Sequence, residues 1–355
     1  MAPHLRAGPS GRHGAASHVL LVSPAFFGYE RSIEEEFRAA GAEVTYVDER
    51  FSNHWTARAL VRLAPAVARP LTHRHFRRAL ARLGDRRVDL VLIIKGETVP
   101  EWFLREVIRR NPAVRTAYYS FDAKPAKDNA DRLIPLCDAA FSFDRADVAA
   151  DRRLQYKPLF VSRAYTPGAH HRDRGVAMAH VGTVNPERYA LVTAVAAAVG
   201  PATVHLYAPA RTYVTLRRVV DPRFRRIDPR GVSTRKLAPE EVAARFREAR
   251  VVVDVQQSGQ SGLTMRTFEA LASGAALLTT NPSVAEEEFF DPSRIAIVRP
   301  DDRRAAVEAV ARLAAGHLDG SPPPGFEAYS LSRWVADFLA LLDSRTERSL
   351  GRGAS

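Results

Sequence analysis

Short apolar runs alternate with helical patterns along the first half of the chain. The segments HVLLVSP, VDLVLIIKG and RTAYYSFD are rich in aliphatic or aromatic residues and end in polar or turn-forming residues. Between them, RSIEEEFRAAGA and PEWFLREVIRRN carry apolar residues at the three- and four-residue spacing of an amphipathic helix. Apolar runs interrupted by helices in this way are typical of a parallel sheet that helices cover on both faces.

The same alternation restarts in the second half of the chain. After an irregular stretch that contains prolines, the segments VAMAHVGTV, ATVHLYAP and RVVVDVQQ alternate with helical patterns. The sequence therefore predicts two doubly wound α/β domains, because a chain of 355 residues exceeds what one core usually organises. The predicted parts are a disordered tail at 1–17, an N-terminal domain at 18–160, a linker at 161–175, a C-terminal domain at 176–325, a C-terminal helix at 326–343 and a second disordered tail at 344–355.

The net positive charge of the chain bears on which partners it binds. The formal net charge is +12, and only five of the 52 basic residues are lysines. Such an arginine bias is typical of a GC-rich genome, which makes an ordinary arginine-rich surface the first interpretation. The second is affinity for anionic partners such as nucleotide diphosphates or acidic lipid surfaces. The chain lacks a recognisable nucleic-acid-binding motif, so we expect no nucleic-acid partner.

Cysteine content and hydropathy bear on the compartment. The single cysteine, Cys137, cannot form an intramolecular disulfide, which fits a reducing compartment. No stretch approaches the roughly 18 apolar residues that span a bilayer, and residues 1–17 lack the apolar core of a signal peptide. We therefore expect a cytoplasmic protein. Residues 58–87 interleave dense arginine with apolar residues, and they form either a solvated helix face or a peripheral contact with an anionic membrane.

The segment QSGLTMRTFEALASGAALLTTN, residues 260–281, carries the most specific candidate chemistry. A loop with glycines precedes a predicted helix at 264–272, so backbone N–H groups and the helix N-terminus can approach a phosphate. Arg266 in the first turn adds a two-pronged donor for the same anion. Glu269, one turn deeper, suits the two hydroxyls of a sugar diol. The pattern predicts a site for a sugar–phosphate compound; the alternative is a solvated helix on which Glu269 pairs with an arginine.

Polar residues also follow the predicted strands of the N-terminal domain. Ligands of parallel sheets bind at the carboxyl ends of the strands, so we expect these residues to face the other domain across a cleft. Local roles stay open for each, such as a tight turn, a strand-end ion pair or a helix cap. The residues are Gly28, Tyr29 and Glu30 after the first strand, Lys95 and Glu97 after another, and Asp122 at the end of RTAYYSFD.

The segment GLTMRTFEALASGAALLTTN resembles the signature of CgeB-type glycosyltransferases. APEEVAARFREARVVVDVQQ upstream of it, and HVLLVSPAFFGYERSIEEEFRAAGAEVTYVDERFSN near the start, are also similar to this group, so the resemblance covers about residues 18–342. It implies the GT-B fold, in which two Rossmann-like domains face a central cleft. It also implies transfer of a sugar from a nucleotide-sugar donor, without a further cofactor, to a saccharide or lipid-linked acceptor in surface polysaccharide or glycoconjugate biosynthesis. A nucleotide-sugar epimerase or hydrolase, or a non-catalytic nucleotide-sugar binding protein, of the same fold stays open.

The resemblance also implies roles for individual residues. Glu269 matches the glutamate that accepts hydrogen bonds from the donor ribose, and Arg188 lies where a lysine often contacts the diphosphate. Thr183 stands where relatives carry a second cation, so we expect Arg266 to complete the cationic clamp. Ser261 replaces a second glutamate of many relatives, and the resemblance therefore does not imply their stereochemistry. The predicted donor-side residues are Gly182, Thr183, Arg188, Gly262, Leu263, Thr264, Arg266 and Glu269.

Glycosyl transfer builds negative charge on the departing diphosphate, so the protein must place fixed positive charge and backbone donors there. In this fold that work is done without a bound metal, and the chain has no Asp-x-Asp pair near the predicted cleft. We expect no metal site, and we expect His170 and His171 in the linker to be exposed. A general base for the acceptor hydroxyl would come from the N-terminal domain, with Asp122 first and Glu97 or Glu30 second. The remaining acceptor-side residues are Gly28, Tyr29 and Lys95.

Overall fold

The computed structural model describes residues 16–54, 57, 60–61, 63–121, 127–256 and 261–350. Two parallel six-stranded sheets, one in each half of the chain, confirm the predicted pair of doubly wound domains. Asp122, the first choice for a general base, lies outside the described residues. So do residues 257–260 of the loop before the predicted donor-site helix.

Helices cover both faces of the N-terminal sheet. Its elements are β1 (His18–Ser23), α1 (Tyr29–Ala39), β2 (Glu43–Asp48), α2 (Pro65–Leu83), β3 (Leu90–Ile94), α3 (Glu101–Arg110), β4 (Arg115–Ser120), α4 (Lys127–Leu133), β5 (Ala139–Ser142), α5 (Arg145–Ala150) and β6 (Gln155–Tyr156). The strand order is β2-β1-β3-β4-β5-β6. Every residue of β1 and β3 is buried, because strands at the centre of a two-sided parallel sheet have no solvent face.

The C-terminal sheet repeats this architecture with the strand order β12-β11-β10-β7-β8-β9. Its elements, with the last helix of the chain, are β7 (Val176–Thr183), α6 (Pro186–Ala198), β8 (Ala202–Tyr207), α7 (Arg211–Val220), β9 (Val232–Ser233), α8 (Pro239–Glu248), β10 (Ala249–Asp254), α9 (Met265–Ala272), β11 (Ala276–Thr279), β12 (Ile295–Ile297), α10 (Arg303–Ala314) and α11 (Leu331–Leu350). All pairings among these strands are parallel.

The predicted donor-site helix, α9, follows its sequence pattern closely. It begins one residue after the predicted start, because Thr264 has extended backbone angles and precedes the first helical residue. It ends before Gly274, whose φ of 69° is left-handed, as the sequence predicts for a helix stop. A Cβ at Gly274 would also lie 1.7 Å from the carbonyl oxygen of Gly320. Both the conformation and the close approach therefore require glycine.

The last helix corrects the predicted end of the chain. A short 3-10 turn at Phe326–Tyr329 precedes α11, and α11 continues to Leu350 instead of ending at residue 343. The predicted tail is therefore wrong for residues 344–350. The segment LLDSRTERSL contains good helix formers and no glycine or proline, so nothing local stops the helix.

The helix α11 packs against the N-terminal domain although it follows the C-terminal one. The ring centroid of Trp334 lies 5.1 Å from that of Tyr119 and 5.0 Å from that of Phe160. Lys157 Nζ lies 2.7 Å from a carboxylate oxygen of Asp337. The chain thus crosses between the domains twice, once through the linker and once before α11.

The linker is anchored and not exposed throughout. His170 is exposed as expected, but His171 is completely buried. Its ring nitrogens lie 3.1 Å from the Gly316 carbonyl oxygen and 2.8 Å from that of Arg250. The prediction for His171 is wrong because these carbonyls, distant in sequence, meet the linker only in the folded domain.

The carboxyl ends of the two sheets face each other. After β5, Asp144 contacts the loop that follows β10, and Tyr156 of β6 donates to Glu287 after β11. After β1, the ring of Phe27 lies 5.7 Å from Lys236 Nζ, which follows β9. The β2–β1 end of the first sheet therefore faces the β8–β9 end of the second.

Candidate functional site

Glu269 lies at the centre of a buried polar cluster between the domains. The Tyr29 hydroxyl, at the start of α1, donates to Glu269 Oε1 at 2.6 Å. The Arg266 guanidinium pairs with Oε2, and the Tyr165 hydroxyl from the linker also hydrogen-bonds the carboxylate. Glu269 is fully buried, so protein groups satisfy its carboxylate entirely. The cluster joins one residue from each domain and one from the linker to the centre of α9.

The position of Tyr29 depends on a sharp turn at the end of β1. Phe27 and Gly28 have left-handed φ angles of 53° and 86°. Such angles favour glycine, and Gly28 is the residue immediately before α1. The turn starts α1 at the cleft, so its first residue points across to α9.

Burial and neighbouring charges shift the pKa values of this cluster. Burial raises the pKa of the Glu269 carboxyl, and the neighbouring Arg266 opposes that rise. Burial also raises the pKa values of Tyr29 and Tyr165, and the charge of Glu269 adds to the effect. Both phenols therefore keep their protons at neutral pH and act as donors. The carboxylate acts as an acceptor for two hydroxyl groups and one guanidinium.

Arg266 is turned inward from the first turn of α9. Its Nε donates to the Val181 carbonyl oxygen at 2.8 Å, and its guanidinium lies 5.5 Å from the Phe246 ring centroid. The salt bridge to Glu269 matches the alternative in which that glutamate pairs with an arginine. The helix is not solvated, however, because seven of its eight residues are buried.

Arg188 bridges the carboxyl ends of β7 and β10. Its Nη2 donates to the Val255 carbonyl oxygen at 2.6 Å, and its Nη1 donates to Thr183 Oγ1 at 2.9 Å. Burial lowers the pKa of Arg188, with Asp254 acting in the opposite direction. A Cβ at Gly182 would lie 3.0 Å from His180 Nε2 and 3.4 Å from Arg188 Cδ. The guanidinium therefore sits at a crowded strand end, beside Gly182 and Thr183.

The loop before α9 holds a carboxylate from the other domain. The Gly262 N–H donates to Asp144 Oδ2 at 2.9 Å, and the Ser261 hydroxyl donates to Oδ1 at 2.5 Å. Asp144 also caps α5 by accepting from the Ala146 N–H at 2.9 Å. The backbone donor that we predict for a phosphate thus contacts the Asp144 carboxylate in this structure.

Two amides hold the same loop from inside its own domain. Gln256 Nε2 donates to the Gly262 carbonyl oxygen at 3.0 Å, and Asn281 Nδ2 donates to the Ser261 carbonyl oxygen at 3.0 Å. These contacts fix the carbonyl side of the loop independently of Asp144. The N–H side of the loop is the side that faces the N-terminal domain.

Leu263 and Thr264 make contacts in the interior of the molecule. The Leu263 side chain is part of the hydrophobic core. Thr264 Oγ1 donates to Asp254 Oδ2 at 2.6 Å and does not cap α9. Asp254 is buried, and burial raises its pKa while the bond from Thr264 lowers it.

The acceptor-side residues form local contacts at the ends of β1 and β3. Glu30 Oε2 accepts a hydrogen bond from the Phe26 N–H at 2.9 Å. Lys95 Nζ lies 3.4 Å from Glu97 Oε1, and Arg50 lies 3.9 Å from the other oxygen of Glu97. The strand-end ion pair that the sequence left open is therefore present. A small pocket there is lined by Tyr29, Glu30, Lys95 and Phe121, among others.

Glu49 is a polar residue at the same edge that sequence reasoning missed. It directly follows β2 and is completely buried, and both carboxylate oxygens lack a hydrogen-bond partner among the described residues. Burial, followed by repulsion from Glu97, raises its pKa to about 8. Asp144 and Tyr165 were missed as well. A search for every acidic residue after an apolar run would have found Glu49 and Asp144.

The structure brings Tyr29, Arg266 and Glu269 into one cluster. Residues that the sequence predicts on the two sides of a cleft between the domains therefore meet. Lys95 and Glu97 instead pair with each other on the N-terminal side. Among the described residues, no group of three or more histidine, cysteine, aspartate or glutamate side chains is arranged to hold a metal ion. The roles predicted for the individual site residues remain predictions.

Comparisons with known proteins bear on both the fold and the family of the C-terminal domain. Residues 180–319 match a family model described as glycosyl transferase-like. The fold is similar to HepE from Anabaena in complex with UDP-glucose, with a TM-score of 0.57, 11% identity and coverage of 92% of this chain and 99% of that one. AviGT4, a glycosyltransferase involved in avilamycin A biosynthesis, has a TM-score of 0.58 at 17% identity, with 92% and 98% covered.

A UDP-forming α,α-trehalose-phosphate synthase from Burkholderia xenovorans, in complex with glucose-6-phosphate, also has a TM-score of 0.58, at 13% identity with 92% and 100% covered. No curated protein sequence matches the chain. The structural likenesses confirm the predicted GT-B fold. The family match supports a glycosyltransferase-like C-terminal domain, and it favours a transferase over the epimerase, hydrolase and binding-protein alternatives.

Proposed function

We propose that this protein transfers a sugar from a nucleotide-sugar donor to a saccharide or lipid-linked acceptor, as a CgeB-type enzyme of surface polysaccharide or glycoconjugate biosynthesis. One observation carries the proposal. In the domain that matches the glycosyltransferase-like family, Glu269 presents a buried carboxylate to hydroxyl donors across the cleft of a GT-B fold. A carboxylate that already accepts from two phenols has the chemistry to accept from the two hydroxyls of a ribose.

Donor binding in this scheme exchanges one set of hydroxyls for another. The ribose diol takes the places of the Tyr29 and Tyr165 hydroxyls on Glu269. Tyr29 belongs to the other domain, so the exchange requires the domains to move apart at this cluster. The first donor to test is UDP-glucose, because the similar HepE binds it.

The leaving diphosphate is assigned to the donors at the strand ends. Arg188, Arg266 and the Gly262 N–H supply fixed positive charge and a backbone donor, which stabilise the charge that develops as the sugar departs. This arrangement supports a metal-independent transfer. The acceptor belongs to the N-terminal strand ends, where Glu97 and Glu30 remain candidates for the general base, together with Asp122.

Contact with an anionic membrane would bring a lipid-linked acceptor to the cleft. Among the described residues, no helix is long and apolar enough to cross a bilayer. In the arginine-rich segment 58–87, however, Leu63, Val67 and Leu71 are exposed at the start of α2. Exposed apolar side chains among arginines fit a peripheral contact.

The decisive experiment measures donor binding by calorimetry. Glu269→Ala should weaken UDP-sugar binding about ten- to a hundredfold, because a hydrogen bond to a charged acceptor contributes about 1.5–3 kcal/mol. Glu308→Ala, in an exposed pair on α10, serves as the control and should bind normally. Unchanged affinity in folded Glu269→Ala would remove the ribose assignment. Product analysis then separates the activities: a transferase forms a glycosylated acceptor, a hydrolase releases free sugar and an epimerase returns an isomeric nucleotide sugar.

A further inference from the structure

Helix α7 turns apolar side chains toward solvent. Leu216, Val219 and Val220 are 64%, 74% and 72% exposed, and Tyr213 on the same side is also exposed. The only buried residue of this helix is Val214. An amphipathic helix ordinarily points its apolar stripe inward, so an outward apolar face indicates a contact that the monomer does not provide.

Arginines surround this apolar face. Residues 211–230, which we call the arginine tip, contain seven arginines and two aspartates. Asp221 pairs with Arg217 and Arg223. Among the described residues, no carboxylate forms an ion pair with the other five arginines. Four of those five line one shallow groove, namely Arg218, Arg225, Arg226 and Arg230.

A small core holds the tip in shape. Phe224 and Ile227 are buried with Val214 against β8 and β9. The Arg217 guanidinium stacks over Phe224 at 4.7 Å from the ring centroid. Asp221 and Asp228 cap the two short turns between α7 and β9. The position of the groove relative to the apolar face of α7 is therefore fixed.

The arginine tip and α2 each follow a strand near the edge of their own sheet. Helix α7 connects β8 to β9, and α2 follows β2 and crosses to β3. The contact between Phe27 and Lys236 places the β1 end of the first sheet opposite the β9 end of the second. Each domain presents an arginine-rich helix with exposed apolar side chains.

We propose that the arginine tip is a second membrane-docking surface, whose ligand is an anionic phospholipid bilayer. Leu216, Val219 and Val220 enter the interfacial region, while the groove arginines bind lipid phosphates. A nucleic acid would use the arginines but leave the apolar face unoccupied. This proposal deepens the proposed function and rests on it in one respect, the use of a lipid-linked acceptor. Two docking points would orient the cleft toward such an acceptor at the membrane.

The test uses the full chain and sedimentation with phospholipid vesicles. Wild-type protein should bind vesicles that contain phosphatidylglycerol, bind phosphatidylcholine vesicles weakly, and lose binding as salt rises. Arg225→Glu/Arg226→Glu should reduce the partition coefficient at least about tenfold, since each basic residue contributes to surface attraction. Leu216→Ser/Val219→Ser should reduce it without changing charge. The matched control is Arg303→Glu/Arg312→Glu, which makes the same change of charge at exposed positions of α10, outside the arginine tip.

Each outcome decides the proposal. Loss of binding in both tip variants but not in the α10 control supports it. Equal binding by tip and control variants, or equal wild-type binding to both lipid compositions, overturns it. Binding of single-stranded RNA that the charge variant alone abolishes, with vesicle binding unchanged, would assign the tip to nucleic acid instead. Calorimetry with UDP-sugar should give the same donor affinity in every tip variant, so failure of the docking surface and failure of the proposed activity remain distinguishable.

Discussion

The two sets of strand ends that face each other across the cleft treat buried carboxylates in opposite ways. On the C-terminal side, Glu269 has a guanidinium and two phenols as partners. On the N-terminal side, Glu49 is equally buried but has no hydrogen-bond partner among the described residues. Burial raises the pKa of both carboxyls. The neighbouring Arg266 opposes the rise at Glu269, whereas repulsion from Glu97 adds to it at Glu49, whose pKa rises to about 8.

This difference separates two tasks. The partners of a paired carboxylate already compensate the cost of its desolvation in the folded protein. Such a carboxylate can bind a ligand only by exchanging these partners for groups of the ligand. An unpaired buried carboxyl stays protonated up to a higher pH and changes charge near neutrality. We therefore expect ligand binding on the side of Glu269 and proton transfer on the side of Glu49.

The largest effect is expected from breaking the pair at Glu269. Arg266→Ala leaves a buried carboxylate without its cation, which should lower the free energy of unfolding by about 3–5 kcal/mol. Urea denaturation measures the loss. Arg304→Ala removes an exposed pair with Glu308 and should leave stability unchanged. Equal stability of both variants would show that the inner pair contributes no more than a surface one.

The next effect concerns Glu49 and the pH dependence of stability. Its folded pKa of about 8 exceeds the ordinary 4.5, so the folded protein binds one more proton than the unfolded chain between these values. Stability should therefore fall as pH rises through this window, by about 3 kcal/mol between pH 5 and pH 8. Urea denaturation at several pH values measures the slope. Glu49→Gln should flatten it, and an identical slope in the variant would exclude Glu49 as its source.

A smaller effect tests whether Asp144 competes with the donor. Asp144→Ala should lower stability by about 0.5–2 kcal/mol through the lost cap of α5. It should also tighten UDP-sugar binding several-fold, because the Ser261–Gly262 donors no longer hold a carboxylate while Gln256 and Asn281 keep the loop in place. Asp302→Ala removes the cap of α10 alone and should leave affinity unchanged. Weaker donor binding in Asp144→Ala would make Asp144 a support of the loop and not a competitor.

The smallest expected effect is that of a chelator. If Arg188, Arg266 and the loop N–H carry the charge of the leaving diphosphate, EDTA should not change the rate of transfer. A coupled assay for nucleoside diphosphate release measures this. A rate that falls with EDTA and recovers with magnesium or manganese would contradict the metal-independent proposal.

Sequence reasoning succeeded where the signal is local. The apolar runs predict the order of the main strands, and Gly274 predicts the end of α9, because periodicity and left-handed glycine act over a few residues. It was wrong for His171, whose partners are distant in the chain. It also placed the end of α11 at residue 343, whereas the helix continues to Leu350.

By itself, the sequence determined the two-domain α/β pattern and the position of Arg266 and Glu269 three residues apart on one helix, where side chains are neighbours. Only the tertiary structure decided what else Glu269 contacts. Tyr29 lies 240 residues away along the chain, and Asp144 lies 118 residues from Gly262. The burial of Glu49 without a partner was decided in the same way. Partners and desolvation of this kind arise when separate elements pack, and no local pattern of residues encodes them.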